Sequence, residues 1–131
     1  MNVAIGLGCD RGTPAGTIAR AVAEALDSAG LHAAQVRAAA SISLKADEPG
    51  LLAFAAGQDW TLAFYSPEQL AAVPVPNPSE TVRRYTGTAS VSEAAALLAA
   101  GADKSHLIVE KHKLRGPDGR SATVSIARIP Q

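Results

Sequence analysis

Asn2-Val3-Ala4-Ile5-Gly6-Leu7-Gly8-Cys9-Asp10-Arg11-Gly12-Thr13-Pro14 is the stretch whose reading decides the fold. From Asn2 to Gly8 it interleaves Val, Ala, Ile and Leu with glycine, as a short buried strand does. Thr13-Pro14 then reads as an N-cap followed by proline at the first helical position. Beyond it Ile18, Val22, Leu26 and Ala29 recur at helical spacing, and Gly30 is a natural terminator. A strand, a glycine-bearing loop and a helix in immediate succession are the opening of an α/β domain.

The rest of the chain continues that alternation. Val36 to Leu44 is compatible with helix or strand, and Ser41 to Leu44 favours a strand. Pro49-Gly50 opens a helix over about Leu51 to Ala56, with Gly57 closing it. Thr61 to Tyr65 reads as a third strand, and Ser66-Pro67-Glu68-Gln69 has capping-box spacing. Val73 to Pro78 holds three prolines and reads as an extended surface loop. Two further capping-box patterns, Asn77-Pro78-Ser79-Glu80 and Ser90-Val91-Ser92-Glu93, predict a short helix to about Tyr85 and a longer one through Ala100, closed by Gly101. Leu107 to Leu114 and Ala122 to Ile129 flank Gly116-Pro117-Asp118-Gly119 as a hairpin. The expectation is one domain over residues 1–131: a mostly parallel sheet, helices on both faces and a C-terminal antiparallel β-hairpin.

Composition narrows the function. The 131 residues are 47% hydrophobic and 18% charged, which fits a folded chain rather than a disordered one. Only five residues are aromatic, so Ala, Val, Leu and Ile carry the apolar content. Lys+Arg and Asp+Glu both number twelve, and bulk electrostatics therefore gives no reason to expect a nucleic-acid or membrane partner. From Lys104 onward, however, six basic residues face two acidic ones. That end suits either an anionic small molecule or an edge strand guarded by lysines. A single cysteine excludes an internal disulfide, and neither a signal-peptide pattern nor a membrane-length apolar run is present, so a cytoplasmic location is expected.

Ligands of such sheets sit at the carboxyl ends of the strands. Gly6 to Thr13 there is neither a dinucleotide fingerprint, because the third glycine would fall at Arg11, nor a P-loop, because no Gly-Lys-Ser/Thr follows. It is equally readable as a tight turn or as an anion cradle. Cys9 stands before a helix and beside Arg11, surroundings that can lower a thiol's pKa, or it is an inert buried cysteine. Leu44-Lys45-Ala46-Asp47-Glu48-Pro49-Gly50-Leu51 puts a lysine and two carboxylates where a strand hands over to a helix. The carboxylates complement the helix dipole, or else Lys45 holds an anion while Asp47 or Glu48 handles a proton. On a strand, Lys111 and Lys113 share one face and His112 takes the other; with Arg115 and Arg120 they can pair with carboxylates. The three histidines and one cysteine lack metal-ligand spacing, so neither a bound metal nor a cofactor is expected.

Taken in order, these motifs resemble the CobE/CbiG C-terminal domain family of cobalamin biosynthesis. Gly6 to Thr13 resembles its opening motif, and Leu44 to Leu51 is similar to its most characteristic internal one. Tyr65-Ser66 with Leu70, Thr86-Gly87, Ser90 to Leu97, Lys111-His112-Lys113 and Thr123 to Arg128 follow in the family's order. The resemblance implies action in the vitamin B12 pathway. CbiG proteins open the lactone of a cobalt-precorrin and release a two-carbon fragment as acetaldehyde. They also carry additional N-terminal sequence, so a chain of this length resembles the free-standing CobE form, whose chemical role is less defined.

Precorrins are broad apolar macrocycles edged with acetate and propionate groups, which call for a groove rimmed by lysines and arginines. The candidate ligand-binding residues are accordingly Gly8, Arg11, Gly12, Thr13, Lys45, Ser66, Lys111 and Lys113. Three functions remain open. The first is a binder of a precorrin or corrin intermediate, acting as carrier or pathway helper. The second is a lactone hydrolase, with Asp47, Glu48 and Cys9 as catalytic candidates. The third is a structural partner of another cobalamin-pathway enzyme.

Overall fold

A computed structural model of the chain describes residues 1–76 and 91–130. The strands are β1 (Val3–Cys9), β2 (Val36–Ile42), β3 (Leu62–Tyr65), β4 (Leu107–Arg115) and β5 (Ser121–Arg128). The helices are α1 (Ala15–Ser28), α2 (Pro49–Gln58), α3 (Pro67–Ala71) and α4 (Val91–Ala100), with short 3-10 turns at Ala33–Gln35, Ser43–Lys45 and Lys104–His106. The five strands form one sheet in the order β3-β2-β1-β5-β4.

β1 pairs with β2, and β2 with β3, in parallel; β5 joins β1 and β4 antiparallel. The sheet is therefore evenly mixed rather than mostly parallel. The hairpin joins the β1 edge of the parallel set through its second strand, so β5 runs against both of its neighbours and β4 forms the outer edge. Hydrogen bonds from Gly116 N–H to the Arg120 carbonyl (2.8 Å) and from Gly119 N–H to the Gly116 carbonyl (3.0 Å) close its turn.

The alternation along β1 sends its side chains to two different layers. Val3, Ile5 and Leu7 pack with Ile18, Ala21, Val22, Leu51 and Phe54 of α1 and α2. Ala4 and Gly6 face the other way, under α4. Ala4 packs with Ala96, Leu97 and Ala127, and Ala40 and Ile42 meet Ala94 and Ala95. A side chain at Gly6 would run into the Ser92 carbonyl and lie 2.6 Å from the Ala96 nitrogen. The small residues are thus what lets α4 lie directly on the sheet, and the alanine-rich composition is a packing device.

Local expectations shift at several points. Pro14, not Thr13, is the N-cap of α1; the Thr13 hydroxyl instead donates to the Asp10 carbonyl at 2.7 Å. β2 ends at Ile42, and Ser43 to Lys45 form a 3-10 turn rather than a strand. Gly57 does not close α2, which runs to Gln58 and ends on Asp59 in the left-handed conformation (φ 62°). The Ser66–Gln69 capping box is present at α3. The Asn77-Pro78-Ser79-Glu80 pattern, the helix to Tyr85 and Thr86-Gly87 lie outside the described residues. No described helix is long and apolar enough to cross a membrane.

Candidate functional site

The carboxyl ends of β1, β2 and β3 share one edge of the sheet, and the hairpin turn between β4 and β5 reaches the same edge. Gly8, Cys9, Arg11, Gly12, Thr13, Lys45, Asp47 and Glu48 meet there. Arg11 is the hub. Its Nη1 donates to Asp47 Oδ1 at 3.0 Å and to Glu48 Oε1 at 3.3 Å, and its Nη2 donates to the Leu44 carbonyl at 2.7 Å. The loop after β1 and the loop after β2 are thereby tied together.

The two adjacent carboxylates live in different environments. Glu48 is 1% exposed and Asp47 is 82% exposed. Glu48 occupies the N-cap position of α2 without capping its own helix. Its second oxygen instead accepts the Gly12 N–H at 3.1 Å, so a buried carboxylate fixes the turn after β1 through two groups. The approach is made possible by Gly50, where a side chain would collide with the Thr13 carbonyl. Asp47 lies at the surface, and the Arg11 guanidinium holds its carboxyl below the usual carboxylate range.

Cys9 behaves differently from the expectation drawn from its neighbours in sequence. It faces the α1/α2 layer and packs against that core. Burial pushes its thiol up to about 11, outweighing the opposing effect of the Lys45 charge, with Glu48 and Asp10 also raising it. Lys45 is therefore close enough to Cys9 to be the leading charge acting on it, and its side chain is half-buried.

Arg120 completes the cluster. Its Nε donates to the Arg11 carbonyl at 3.0 Å and its Nη1 pairs with Asp118 at 3.1 Å. The adjoining Ser121 N–H donates to Asp10 Oδ2 at 2.9 Å. In the sequence Arg120 belongs with the basic end of the chain. Its contact with Arg11 spans 109 residues and depends on β5 lying beside β1, so no local signal reveals it.

The remaining candidates stand apart. The Ser66 hydroxyl accepts the Gln69 N–H at 3.1 Å as the cap of α3. Lys111 and Lys113 lie on β4, three strand positions from β2, or about 14 Å at ordinary strand spacing. Two β4 residues, Glu110 and Lys111, stand opposite Ser125 in a bulge. Lys111 reaches across the α4 face to within 3.9 Å of the buried Glu93 carboxylate. His112 points to the other face, with Nε2 2.9 Å from Glu24 Oε1 on α1. Lys113, opposite Thr123 in the row that contains Gly8, sits nearer the carboxyl edge.

Among the described residues no three His, Cys, Asp or Glu side chains gather to hold a metal ion. An open groove of about 440 Å³ lies between Ala72–Pro74 and Ala102–Ser105, beyond the C-terminus of α4. None of the candidate residues lines it. The close interloop contacts are at the opposite edge, where this class of sheet holds its ligands.

Known proteins are similar to this chain in sequence and fold. The model of the family described as "Cobalamin synthesis G C-terminus" matches residues 3–127. A protein of Priestia megaterium named "Cobalt-precorrin-5A hydrolase" is 39% identical over 128 residues, covering 98% of this chain and 32% of the relative. "Protein CobE" of a Sinorhizobium species is 41% identical over 109 residues, 82% of this chain and 70% of the relative. The chain thus spans about a third of the hydrolase's length. The crystal structure of CobE, a protein from the cobalamin biosynthetic pathway, superposes with a TM-score of 0.84 at 29% identity, covering 99% of this chain and 95% of that one. The cobalamin biosynthesis protein chiG of Agrobacterium tumefaciens gives a TM-score of 0.69 at 34% identity, with 98% and 99% covered.

Proposed function

This chain belongs to the cobalamin synthesis G C-terminus family, and on that premise we infer that it binds a precorrin or corrin intermediate through the ligand's peripheral carboxylates, at the carboxyl edge of the sheet. The observation that carries this reading is the state of the groups a hydrolase would need. Glu48 is spent on Arg11 and Gly12, Asp47 is held ionised by Arg11, and the Cys9 thiol stays protonated at neutral pH. A general base works best with a pKa near the operating pH, which Asp47 lies below, and a thiol attacks as the thiolate, which Cys9 is not; both oxygens of Glu48 already accept hydrogen bonds.

The cations are better placed for recognition. Arg11, Lys45 and Arg120 come from three different loops, and a guanidinium matches a carboxylate in both charge and shape. Lys113 extends the basic rim toward β4, and Lys111 lies further in, on the α4 face. A protein that holds a reactive macrocycle without altering it serves the pathway as a carrier or helper.

The second reading is a lactone hydrolase. It is favoured by the identity to the relative named as a hydrolase and would give Asp47 and Glu48 the proton-handling role. Calorimetric titration with early and late intermediates tests the binding reading. Wild-type protein binds the polycarboxylate forms, and Lys45→Glu or Arg11→Glu weakens them. Affinity that is indifferent to charge reversal at Lys45, Arg11 and Lys113 overturns it. Absence of binding moves the search to a protein partner.

A further inference from the structure

Resting on the binding reading, we propose that Asp47 is an internal stand-in for a ligand carboxylate, occupying Arg11 until the ligand displaces it. Arg11 has three acceptors of unequal permanence. The Leu44 carbonyl at 2.7 Å is backbone, and Glu48 is buried and also bonded to Gly12. Asp47, at 3.0 Å and 82% exposed, is the acceptor that can leave without unpicking the loop. It sits between the 3-10 turn at Ser43–Lys45 and the first turn of α2, on a short linker where rotation of one side chain releases it.

When Asp47 swings out, Arg11 stays aimed, because Glu48 and Leu44 still hold the guanidinium from beneath. The site passes from an arginine held by two carboxylates to one held by Glu48 alone, with its exposed side open to the ligand. With Asp47 in place, the Arg11 guanidinium is occupied by two carboxylates and a carbonyl and offers an incoming anion little. An exposed ion pair is weak, which makes Asp47 a displaceable competitor rather than a block. Its effect is selectivity: a ligand lacking a carboxylate gains nothing by displacing it. Asp47 is in this account a positioning residue that sets preference for carboxylates over amides.

The test is calorimetry at low salt with two probes, dicyanocobyrinic acid, a corrin polycarboxylate, and dicyanocobinamide, its amidated counterpart. Asp47→Asn keeps the side chain's shape and removes its charge. The expected result is tightening of the acid by roughly two- to five-fold, the scale of an exposed pair, with the amidated corrin unchanged. Arg11→Gln in the same background abolishes the gain. Unchanged or weaker binding of the acid by Asp47→Asn, with wild type binding normally, overturns the stand-in and leaves the binding reading intact. Equal tightening of both corrins shows a structural effect and also overturns it. Failure of wild type and variant alike to bind either corrin overturns the stand-in together with the reading it rests on.

Discussion

The carboxylate of Glu48 accepts the backbone N–H of Gly12 at 3.1 Å across 36 residues, from inside the protein and from the start of a helix it does not cap. Together with the hydrogen bonds of Arg11 to Asp47, Glu48 and the Leu44 carbonyl, this contact holds the loops after β1 and β2 to each other.

Replacing Glu48 therefore costs stability as well as ligand affinity. Glu48→Ala leaves the Gly12 N–H without its acceptor and is expected to destabilise the fold by about 1–3 kcal/mol. Glu48→Gln retains a carbonyl acceptor and costs less. Chemical denaturation of the three proteins measures the order, and equal stability of wild type and Glu48→Ala would contradict it.

Two glycine-to-alanine changes separate close packing from helix propensity. At Gly50 a side chain meets the Thr13 carbonyl, while at Gly16 on α1 nothing lies within 4 Å. Gly50→Ala is expected to destabilise by about 1–3 kcal/mol through forced backbone shifts. Gly16→Ala is expected to stabilise by about 0.5–1 kcal/mol by relieving the entropic cost of glycine within a helix. Thermal melts of the two variants should move in opposite directions.

The Asp47 carboxyl is held below its ordinary 3.8 by Arg11. Because its folded value is the lower one, the pair's contribution is complete above about 3.8 and is lost as pH falls through the folded value. Salt weakens it, since both groups are exposed. A carbon-13 NMR titration should place the Asp47 midpoint below 3.8, and Arg11→Gln should return it to the ordinary range. An unmoved midpoint in that variant would show that Arg11 is not the cause.

Burial raises Cys9 from 9.0 to about 11. The unfolded thiol ionises first, so this group's contribution is full below about 9 and is lost as pH rises toward 11. Alkylation of native protein by iodoacetamide should be slow at neutral pH and accelerate only toward pH 11. Lys45→Met removes the positive charge opposing the shift and should slow it further. Rapid alkylation at pH 7 in the folded state would contradict the burial argument and bring the thiol back as a nucleophile.

Much of this was legible in the sequence wherever the signal is local. The alternation in β1, the helical period of α1, the Ser66–Gln69 box and the hairpin around Gly116 each depend on residues within a few positions. The alternation of strands and helices also put the loops that carry Arg11, Lys45, Asp47 and Glu48 at the carboxyl ends of β1 and β2. Features set by tertiary contact were not legible. The antiparallel hairpin was expected, but that its second strand, β5, is the one beside β1 leaves no mark on the periodicity of either strand. Gly57 looked like a terminator, but Asp59 takes the left-handed position because Trp60 N–H bonds the Ala55 carbonyl (2.9 Å). Cys9 has a cation beside it in sequence, but its face of β1 points into the core. Glu48 and Asp47 are adjacent letters, and only the packing of α2 against the Gly12 turn buries one and exposes the other.

The most direct test of the central claim is to mix wild-type protein with a carboxylate-bearing corrin intermediate and follow heat release and ligand mass in the same sample. The expected result is saturable binding, with the ligand recovered at unchanged mass and weaker binding in Lys45→Glu. Recovery of a ring-opened product, or of one that has lost a carbon fragment, would contradict it and make the chain a catalyst acting through Asp47 or Glu48.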